Sequence, residues 1–294
     1  MSFAARGHRL RRLARRLARQ RAMLVAAAVL LPLFVAGWDA ADLAPHHWLG
    51  LDLDLLQVGP TFRGWHLFGT DLIGRDIFSR TLWALGTSER VAFSVAAIAT
   101  AVGVVAGSLA GYYRGWLDAA LMRLADLATA YPALLILLGA IIYLRPITPR
   151  IVGTVLAATL WVYPARLVRA AVGAQRDAEY VEAARALGAS DLRILARHLV
   201  PNCVGTVVVA ATSLVGQAIL LESTVEFFNY GLNQNARPTL GNMIADVLKY
   251  GIGDENTAGL RWWTWFFPAV TLVVVLVCVN LVGDGLDAAL NPRR

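Results

Sequence analysis

The residues of this chain that could take part in covalent or metal chemistry are few, and their spacing matches no common catalytic motif. The strings HExxH and GxSxG are absent, as is the phosphate-binding string GxxxxGKS/T. The two cysteines lie far apart in apolar sequence and form no Cys/His cluster. The pair His46-His47 could bind a metal ion or simply belong to a surface loop. These residues therefore give little support for an enzyme, and the sequence offers no ATP-binding string of its own.

A short polar element between two apolar spans indicates a different kind of function. Glu182, Ala183 and Ala184 are followed by Gly188 and, thirteen positions later, by Pro201. Glycine is the usual residue just past a helix end, and proline is tolerated in a first helical turn, so the spacing predicts helix, glycine, helix. The alanines would let a partner surface approach the backbone closely, while Glu182 offers a charge to a basic or N–H-rich pocket.

The first helix of this element has one predicted apolar face. Asp177 is expected to cap its N-terminus, and Ser190 to cap the helix that follows. Such a face can dock a partner or pack on its own helix bundle, and the pattern alone leaves both open. The face is formed by residues at i, i+3, i+4 and i+7: Tyr180, Ala183, Ala184 and Leu187.

The composition of the whole chain, which must hold this element in place, is that of a membrane protein. Of 294 residues, 57% are hydrophobic and only 16% are charged. About 20 apolar residues cross a bilayer, so the length allows several crossings and leaves no long soluble domain. We therefore predict an all-α polytopic membrane protein with six transmembrane helices: Ala22–Trp38, Val91–Tyr113, Leu124–Leu144, Ile151–Val172, Val200–Leu221 and Trp262–Val282.

The arginines predict the orientation in the membrane. Residues 1–21 carry eight arginines and no acid, and the loop 175–197 carries four arginines, whereas 39–90 and 222–261 carry more acids than bases. By the positive-inside rule, which counts basic residues, both termini and the loop 175–197 are predicted to be cytoplasmic. The basic N-terminal segment is read as an amphipathic helix on the inner leaflet or as a disordered tail, rather than as a nucleic-acid-binding arm. We expect a multi-pass protein of the cell (cytoplasmic or inner) membrane, whose spans contact the lipid bilayer.

The predicted organisation has three parts. Residues 1–21 form the basic segment, 22–90 the first transmembrane helix with an extracytoplasmic loop, and 91–290 a five-helix core that carries the loop at about 175–200. The stretch Gly69–Arg80 is expected to fold on the outer surface and to begin a short helix near Asp76.

Several polar and small residues within the spans are candidates for packing or for lining a solute pathway. Arg123 and Asp126 are one helical turn apart and are predicted to pair. Intramembrane polar groups usually face the bundle interior, where they either line a pathway or hydrogen-bond between helices. The pathway candidates are Ser213, Gln217, Glu222 and Glu226. A stripe of small residues at i, i+4 and i+8 predicts close helix packing: Gly103, Gly107 and Gly111.

Together these residues resemble a known family. The string from Glu182 to Pro201 is similar to the EAA signature of ABC importer permeases. The strings 69–80, 126–132 and 281–287 resemble the C-type permease subunit of the oligopeptide/dipeptide/nickel family, so the resemblance covers residues 69–292, most of the chain. Secondary transporters commonly show inverted repeats, and no repeat is evident here.

The resemblance implies the type I ABC importer permease fold and a cytoplasmic coupling helix. It implies a homologous B-type permease, two ABC ATPase subunits that bind ATP and magnesium, and an extracytoplasmic binding protein, with no cofactor in this chain. Short peptides are the implied substrate, with nickel or another small solute as the alternative. The coupling residues implied are Tyr180, Glu182, Ala183, Ala184, Leu187, Gly188, Ser190 and Asp191.

One stretch departs from the family pattern. At 225–231 the chain reads Val-Glu-Phe-Phe-Asn-Tyr-Gly, where the family usually has a string close to Leu-Ser-Phe-Leu-Gly-Leu-Gly. The acid at Glu226 replaces a serine at the predicted outer mouth of the pathway. We therefore expect Glu226 to face the solute or the binding protein, and the departure leaves the substrate open.

Overall fold

The computed structural model describes residues 17, 20–144, 148–228, 237–250 and 261–290, which fold into helices joined by short connections. Shorter helical turns occur at Ala40–Leu43, Arg63–Trp65, Asp191–Ile194, Leu195–Leu199 and Val200–Asn202. No strand forms within these ranges. The main helices are α1 (Arg21–Trp38), α2 (Ile77–Tyr113), α3 (Gly115–Thr129), α4 (Ala133–Tyr143), α5 (Pro149–Leu160), α6 (Val162–Gln175), α7 (Glu179–Ala186), α8 (Val204–Phe227), α9 (Leu240–Tyr250) and α10 (Trp263–Leu290).

The predicted spans correspond to these helices. Five segments are long and apolar enough to cross a membrane: α1, α2, α5 with α6, α8 and α10. The sixth is the bent pair α3 and α4, whose axes differ by 75°. The prediction of six crossings is confirmed when the bent pair is counted as one span. The basic N-terminal segment lies, apart from its last residues, outside the described part of the chain.

The third span differs from the continuous helix that was predicted, because it breaks at Pro132. Tyr131 and Pro132 separate α3 from α4, and Pro132 has the extended backbone angles φ −56° and ψ 129°. Proline has no N–H and disfavours helical geometry in the residue before it, which accounts for the break. Pro164 similarly follows the interruption at Trp161, where α5 gives way to α6.

The second span is longer than predicted. Its helix, α2, begins at Ile77 rather than Val91 and runs for 37 residues, about 55 Å at the rise of an α-helix. The expected short helix near Asp76 is therefore the first part of this span. Asp76 is the N-cap of α2, and its carboxylate accepts a hydrogen bond from the Ser79 N–H.

Helix α2 is the centre of the bundle and packs along α6 and α8. The predicted glycine stripe is the contact with α6. A Cβ atom added at Gly103, Gly107 or Gly111 would overlap Pro164, the Ala165 carbonyl or the Arg169 carbonyl respectively. The stripe is thus a packing surface, which confirms the prediction made from its spacing.

The two ends of α2 define the two ends of the bundle. The loop end holds residues 176–203, and the far end holds residues 44–76.

Span five begins later than predicted. Pro201 lies in the turn Val200–Asn202, and α8 starts only at Val204. Between Ile194 and that turn, residues Leu195–Leu199 form a π-helical turn.

Candidate functional site

The element at the loop end is a short helix that ends at a glycine, as the sequence predicts. Gly188 has φ +79°, the left-handed region that favours glycine. The Gly188 N–H donates to the Arg185 carbonyl at 3.0 Å, and the Ala189 N–H donates to the Ala184 carbonyl at 3.1 Å. This pair of bonds is a Schellman motif, which satisfies the last carbonyls of α7 and turns the chain sharply.

The predicted caps of the element are not formed. The residue that precedes α7 is Ala178, and Asp177 instead lies 3.5 Å from the Arg114 guanidinium, at the end of α2. Ser190 does occupy the N-cap position of the second helix, but its side chain makes no capping hydrogen bond. For Asp177, an arginine distant in sequence outcompetes the local backbone N–H groups.

The element is held to the bundle by a small apolar cluster. Val181 is fully buried in α7, and Ile194, Leu195 and Leu199 are buried on the following helical turns. They pack against residues at the ends of α2 and α6: Tyr112, Val168 and Val172. The face that docks on the chain's own bundle is therefore centred on Val181, which the predicted stripe did not include.

A hydrogen-bonded chain adds a polar link to this apolar one. The Tyr112 hydroxyl donates to Asp191 Oδ1 at 2.6 Å, and the Arg185 guanidinium donates to the Tyr112 oxygen at 3.3 Å. The bond to Tyr112 raises the pKa of the exposed Arg185 guanidinium above its usual value. The end of α2 is thus bonded to both halves of the element.

The opposite face of the element is exposed. Leu187 is 88% exposed, and Leu192 in the following turn is 72% exposed. Glu182 and Ala183 are also exposed on α7. Of the predicted stripe, Tyr180 is 38% exposed and donates to the Gln175 side chain. Ala184 turns instead toward the buried cluster, so the four stripe residues do not share one environment.

The pathway candidates on α8 divide into two pairs. Gln217 is exposed and Ser213 is partly exposed, with its hydroxyl bonded to the Val209 carbonyl of its own helix. Glu222 is fully buried and accepts a hydrogen bond from Ser88 of α2 at 2.9 Å. This bond is the helix–helix role that the sequence left open for Glu222.

Glu226, which we expect to face solute, is 1% exposed in this conformation. Contact with a solute would therefore require a conformation in which the far end of α8 is more open. The last three residues of the string that departs from the family pattern, Asn-Tyr-Gly, lie outside the described residues.

The predicted ion pair of Asp126 with Arg123 is wrong. The Asp126 carboxylate pairs instead with Arg166 of α6 at 2.7 Å.

The far end contains a network of ion pairs and a group of side chains of the types that bind metal ions. Asp71 accepts hydrogen bonds from Arg75 at 2.6 Å and from Arg80 at 2.7 Å, and Arg80 also lies 3.5 Å from Asp246 of α9. Among the described residues, the three side chains with a metal-ligand arrangement are also at this end: His46, His66 and Asp76.

A bundle of helices of transmembrane length with an exposed loop helix at one end agrees with the permease fold of ABC importers. Comparison with solved structures supports that fold. The permease chain in an inward-facing form of the MetNI methionine ABC transporter matches with a TM-score of 0.57 at 18% identity, over 73% of this chain and 96% of that one. A second inward-facing crystal form of MetNI matches with a TM-score of 0.53.

Sequence relatives define the family. Residues 103–294 match the model of the binding-protein-dependent transport system inner membrane component, and the chain belongs to this family. The oligopeptide transport system permease protein OppC of Mycobacterium tuberculosis is 34% identical over 95% of this chain and 92% of its own length. The dipeptide transport system permease protein DppC of Bacillus subtilis is 33% identical over 95% of this chain and 84% of its own length. The resemblance to the C-type peptide permeases is thus confirmed.

Proposed function

We propose that this chain is one of two permease subunits of an ATP-driven importer of short peptides. In this proposal the loop element is the coupling helix that receives the motion of an ATPase subunit. The observation that carries the proposal is the two-sided construction of α7: one face is tied to the bundle through Val181 and Arg185, and the other presents Glu182, Ala183 and Leu187 to a partner.

The exposed face has the chemistry of a protein contact. Leu187 and Leu192 are apolar side chains that are mostly exposed to solvent, and Glu182 of the same element is also exposed. Apolar patches rimmed by polar residues mark protein interaction sites, and we infer that these two leucines belong to such a patch. The small Ala183 beside them lets a partner approach the helix backbone. The Tyr180, Gly188, Ser190 and Asp191 positions shape and fix this surface from its edges.

The attachment of the element can transmit a movement to the pathway. Tyr112 is at the loop end of α2, and Ser88 on the same helix bonds Glu222 of α8 about 36 Å away along the helix axis. A rigid helix that is bonded at one end to the coupling element and at the other to a pathway helix converts a displacement at the loop into a displacement at the far end. Alternating access requires an element that moves between two states, and we infer that α2 is that element.

In this proposal the other subunits of the importer are separate chains. The sequence carries no phosphate-binding string, so ATP and magnesium belong to two ABC ATPase subunits. A homologous B-type permease completes the pathway, and an extracytoplasmic binding protein delivers the solute at the far end. In this arrangement the loop end is cytoplasmic, as the arginines of the loop and of the N-terminal segment predict.

Short peptides are the substrate class that the relatives favour, since the OppC and DppC proteins are oligopeptide and dipeptide permeases by name. Within the chain, Gln217 and Ser213 are the pathway residues open to a solute in this conformation, and Glu222 and Glu226 are candidates in an open state. Amide, hydroxyl and carboxylate groups can pair with a peptide backbone and its N-terminal ammonium.

The test is ATP hydrolysis by the complex reconstituted with its partner subunits in liposomes. Peptides of two to six residues with the binding protein should stimulate hydrolysis, and Glu182→Arg should abolish the stimulation. Arg123→Glu, an exposed charge reversal on α3 outside the loop, is the matched control and should behave as the parent. Stimulation by nickel salts but not by peptides would overturn the substrate assignment. Full stimulation in the Glu182→Arg complex would overturn the coupling assignment.

A further inference from the structure

The far end holds a cluster of side chains that the transport proposal does not use. The rings of His46 and His66 are stacked with centroids 4.7 Å apart, and His66 is 1% exposed. Asp76, the N-cap of α2, lies against the same ring. Ligand atoms of the two histidines and Asp76 all lie within 4.8 Å of one another. From this geometry we propose a binding site for a divalent transition-metal cation of the zinc type, formed by His46, His66 and Asp76.

His46 is oriented as a metal ligand is. Its Nε2 lies 2.7 Å from the Gly64 carbonyl, and a carbonyl only accepts, so Nε2 carries the proton. The other nitrogen, Nδ1, is then left with a free lone pair. Donation of the second ring N–H to a backbone carbonyl is the usual way in which proteins fix the tautomer and the orientation of a ligating histidine.

His66 lies between two carboxylates. Its Nδ1 is 2.8 Å from Asp76 Oδ1, and its Nε2 is 3.5 Å from Asp52 Oδ2. If Nδ1 binds the ion beside Asp76, Nε2 faces Asp52, and that carboxylate orients the ring. When Nε2 carries the proton toward Asp52, the lone pair of Nδ1 faces Asp76 Oδ1, and a cation bound by both atoms would replace that repulsion. In a core without metal, a second proton on the ring takes the place of the cation.

The backbone around the cluster is fixed by the fold. The His46 N–H donates to the Ser79 hydroxyl at 3.1 Å, and the Ser79 N–H donates to Asp76 Oδ2 at 2.6 Å. Both bonds attach the donors to the first turn of α2. Three zinc ligands at about 2.0–2.1 Å from the ion lie roughly 3.3 Å apart, so small side-chain rotations bring these donors together.

An entry path leads to the cluster. A cavity of about 450 Å³ opens beside it, and Asp52 and Asp54 stand among its lining residues together with both histidines of the 46–47 pair. The two acids give the opening a negative charge, which attracts a cation. Two imidazoles with a carboxylate match the preference of zinc over magnesium and calcium, which take mainly oxygen ligands.

A bound ion would join the outer segment 44–76 to the first turn of α2. The inference does not depend on the transported solute, because it rests on the far-end donors alone. Its competitor is a histidine core held only by hydrogen bonds, which would bind no ion with unusual affinity.

The test is zinc binding by the full chain, purified in detergent through a tag without histidine and titrated in competition with a chromophoric chelator. The parent should bind one equivalent of zinc, and cobalt at the same site should give the visible absorption of a tetrahedral complex. His46→Gln should bind zinc at least about tenfold more weakly, because loss of even an outer partner costs that much. His47→Gln, which removes the neighbouring ring outside the donor set, should bind as the parent does.

His46→Gln is the main variant because it leaves the buried His66–Asp76 bond in place. Its unfolding temperature without metal should match the parent, and zinc should raise the unfolding temperature of the parent but not of the variant. Equal zinc affinity in the parent and His46→Gln would overturn the proposal. So would an equal loss of zinc affinity in His47→Gln, since binding would then lie outside the proposed donor set.

Discussion

The Tyr112 hydroxyl lies 2.6 Å from Asp191 Oδ1 and joins the loop end of α2 to the second half of the loop element. These residues are 79 positions apart, and the bond is supported by the Arg185 guanidinium on the same oxygen. The bond ties the proposed coupling helix to the longest helix of the bundle. Its consequences can be tested with small changes at the loop end and along α2.

Removal of the Tyr112 hydroxyl should loosen the element without unfolding the chain. Tyr112→Phe deletes the partly buried hydrogen bond to Asp191 and the longer one from Arg185, and a bond to a charged group contributes about 1.5–3 kcal/mol. We expect faster hydrogen exchange in residues 179–199 and weaker peptide stimulation of ATP hydrolysis. Tyr113→Phe changes the neighbouring, more exposed ring and is the control. Equal exchange in both variants would show that the bond does not hold the element.

Gly188, which ends α7, should be needed because it can take a positive φ angle and not because it is small. Nothing lies within 4 Å of a Cβ atom at Gly188, whereas its φ is +79°. Gly188→Ala should therefore cost about 1–2 kcal/mol through left-handed strain alone. The control is Gly139→Ala in α4, which also has open space and has no positive φ. Hydrogen exchange at the end of α7 is the measurement, and protection unchanged from the parent would contradict the role of the Schellman motif.

The glycine stripe of α2 should tolerate no side chain. A Cβ atom at Gly107 would overlap the Ala165 carbonyl, so Gly107→Ala should lower stability by about 1–3 kcal/mol, the usual range for overpacking. At Gly216 of α8 the nearest atom to a new Cβ is 3.4 Å away, close to an ordinary contact. Thermal unfolding in detergent should give a clearly lower midpoint for Gly107→Ala than for Gly216→Ala. Equal midpoints would be inconsistent with the close packing of α2 on α6.

The hydrogen bond from Ser88 to Glu222 should contribute more to stability than the hydrogen bonds of other serines in α2. Ser88→Ala leaves a fully buried carboxylate with one donor fewer, which costs about 1–3 kcal/mol or more. Ser108→Ala, whose hydroxyl bonds only the Val105 carbonyl of its own helix, is the control. Thermal unfolding and peptide uptake should both fall in Ser88→Ala. If both variants unfold alike, the bond does not brace α2 against α8.

The features that the sequence predicted correctly have local causes. The helix end at Gly188 follows from the freedom of glycine to take positive φ, and the close packing at Gly103 and Gly107 follows from their small size. The number of spans follows from the lengths of the apolar runs. The break at Pro132 was not predicted, although its cause is also local, since the proline itself disrupts the helix.

The features that the sequence did not predict depend on partners distant in the chain. Val181 rather than Tyr180 anchors α7, because the buried face is chosen by the ends of α2 and α6 and not by periodicity alone. Asp126 pairs with Arg166, 40 residues away, in preference to Arg123 one turn away. Only a three-dimensional arrangement reveals such choices.

The most direct test of the coupling proposal is a photo-crosslinking amino acid placed at Leu187 in the assembled complex. Leu187 is 88% exposed, so the replacement should leave the fold intact, and Phe62 at the far end, 85% exposed, is the matched position. We predict that the probe at Leu187 links this chain to an ATPase subunit and that the probe at Phe62 does not. An assembled, ATP-hydrolysing complex in which the Leu187 probe never reaches an ATPase subunit would contradict the account.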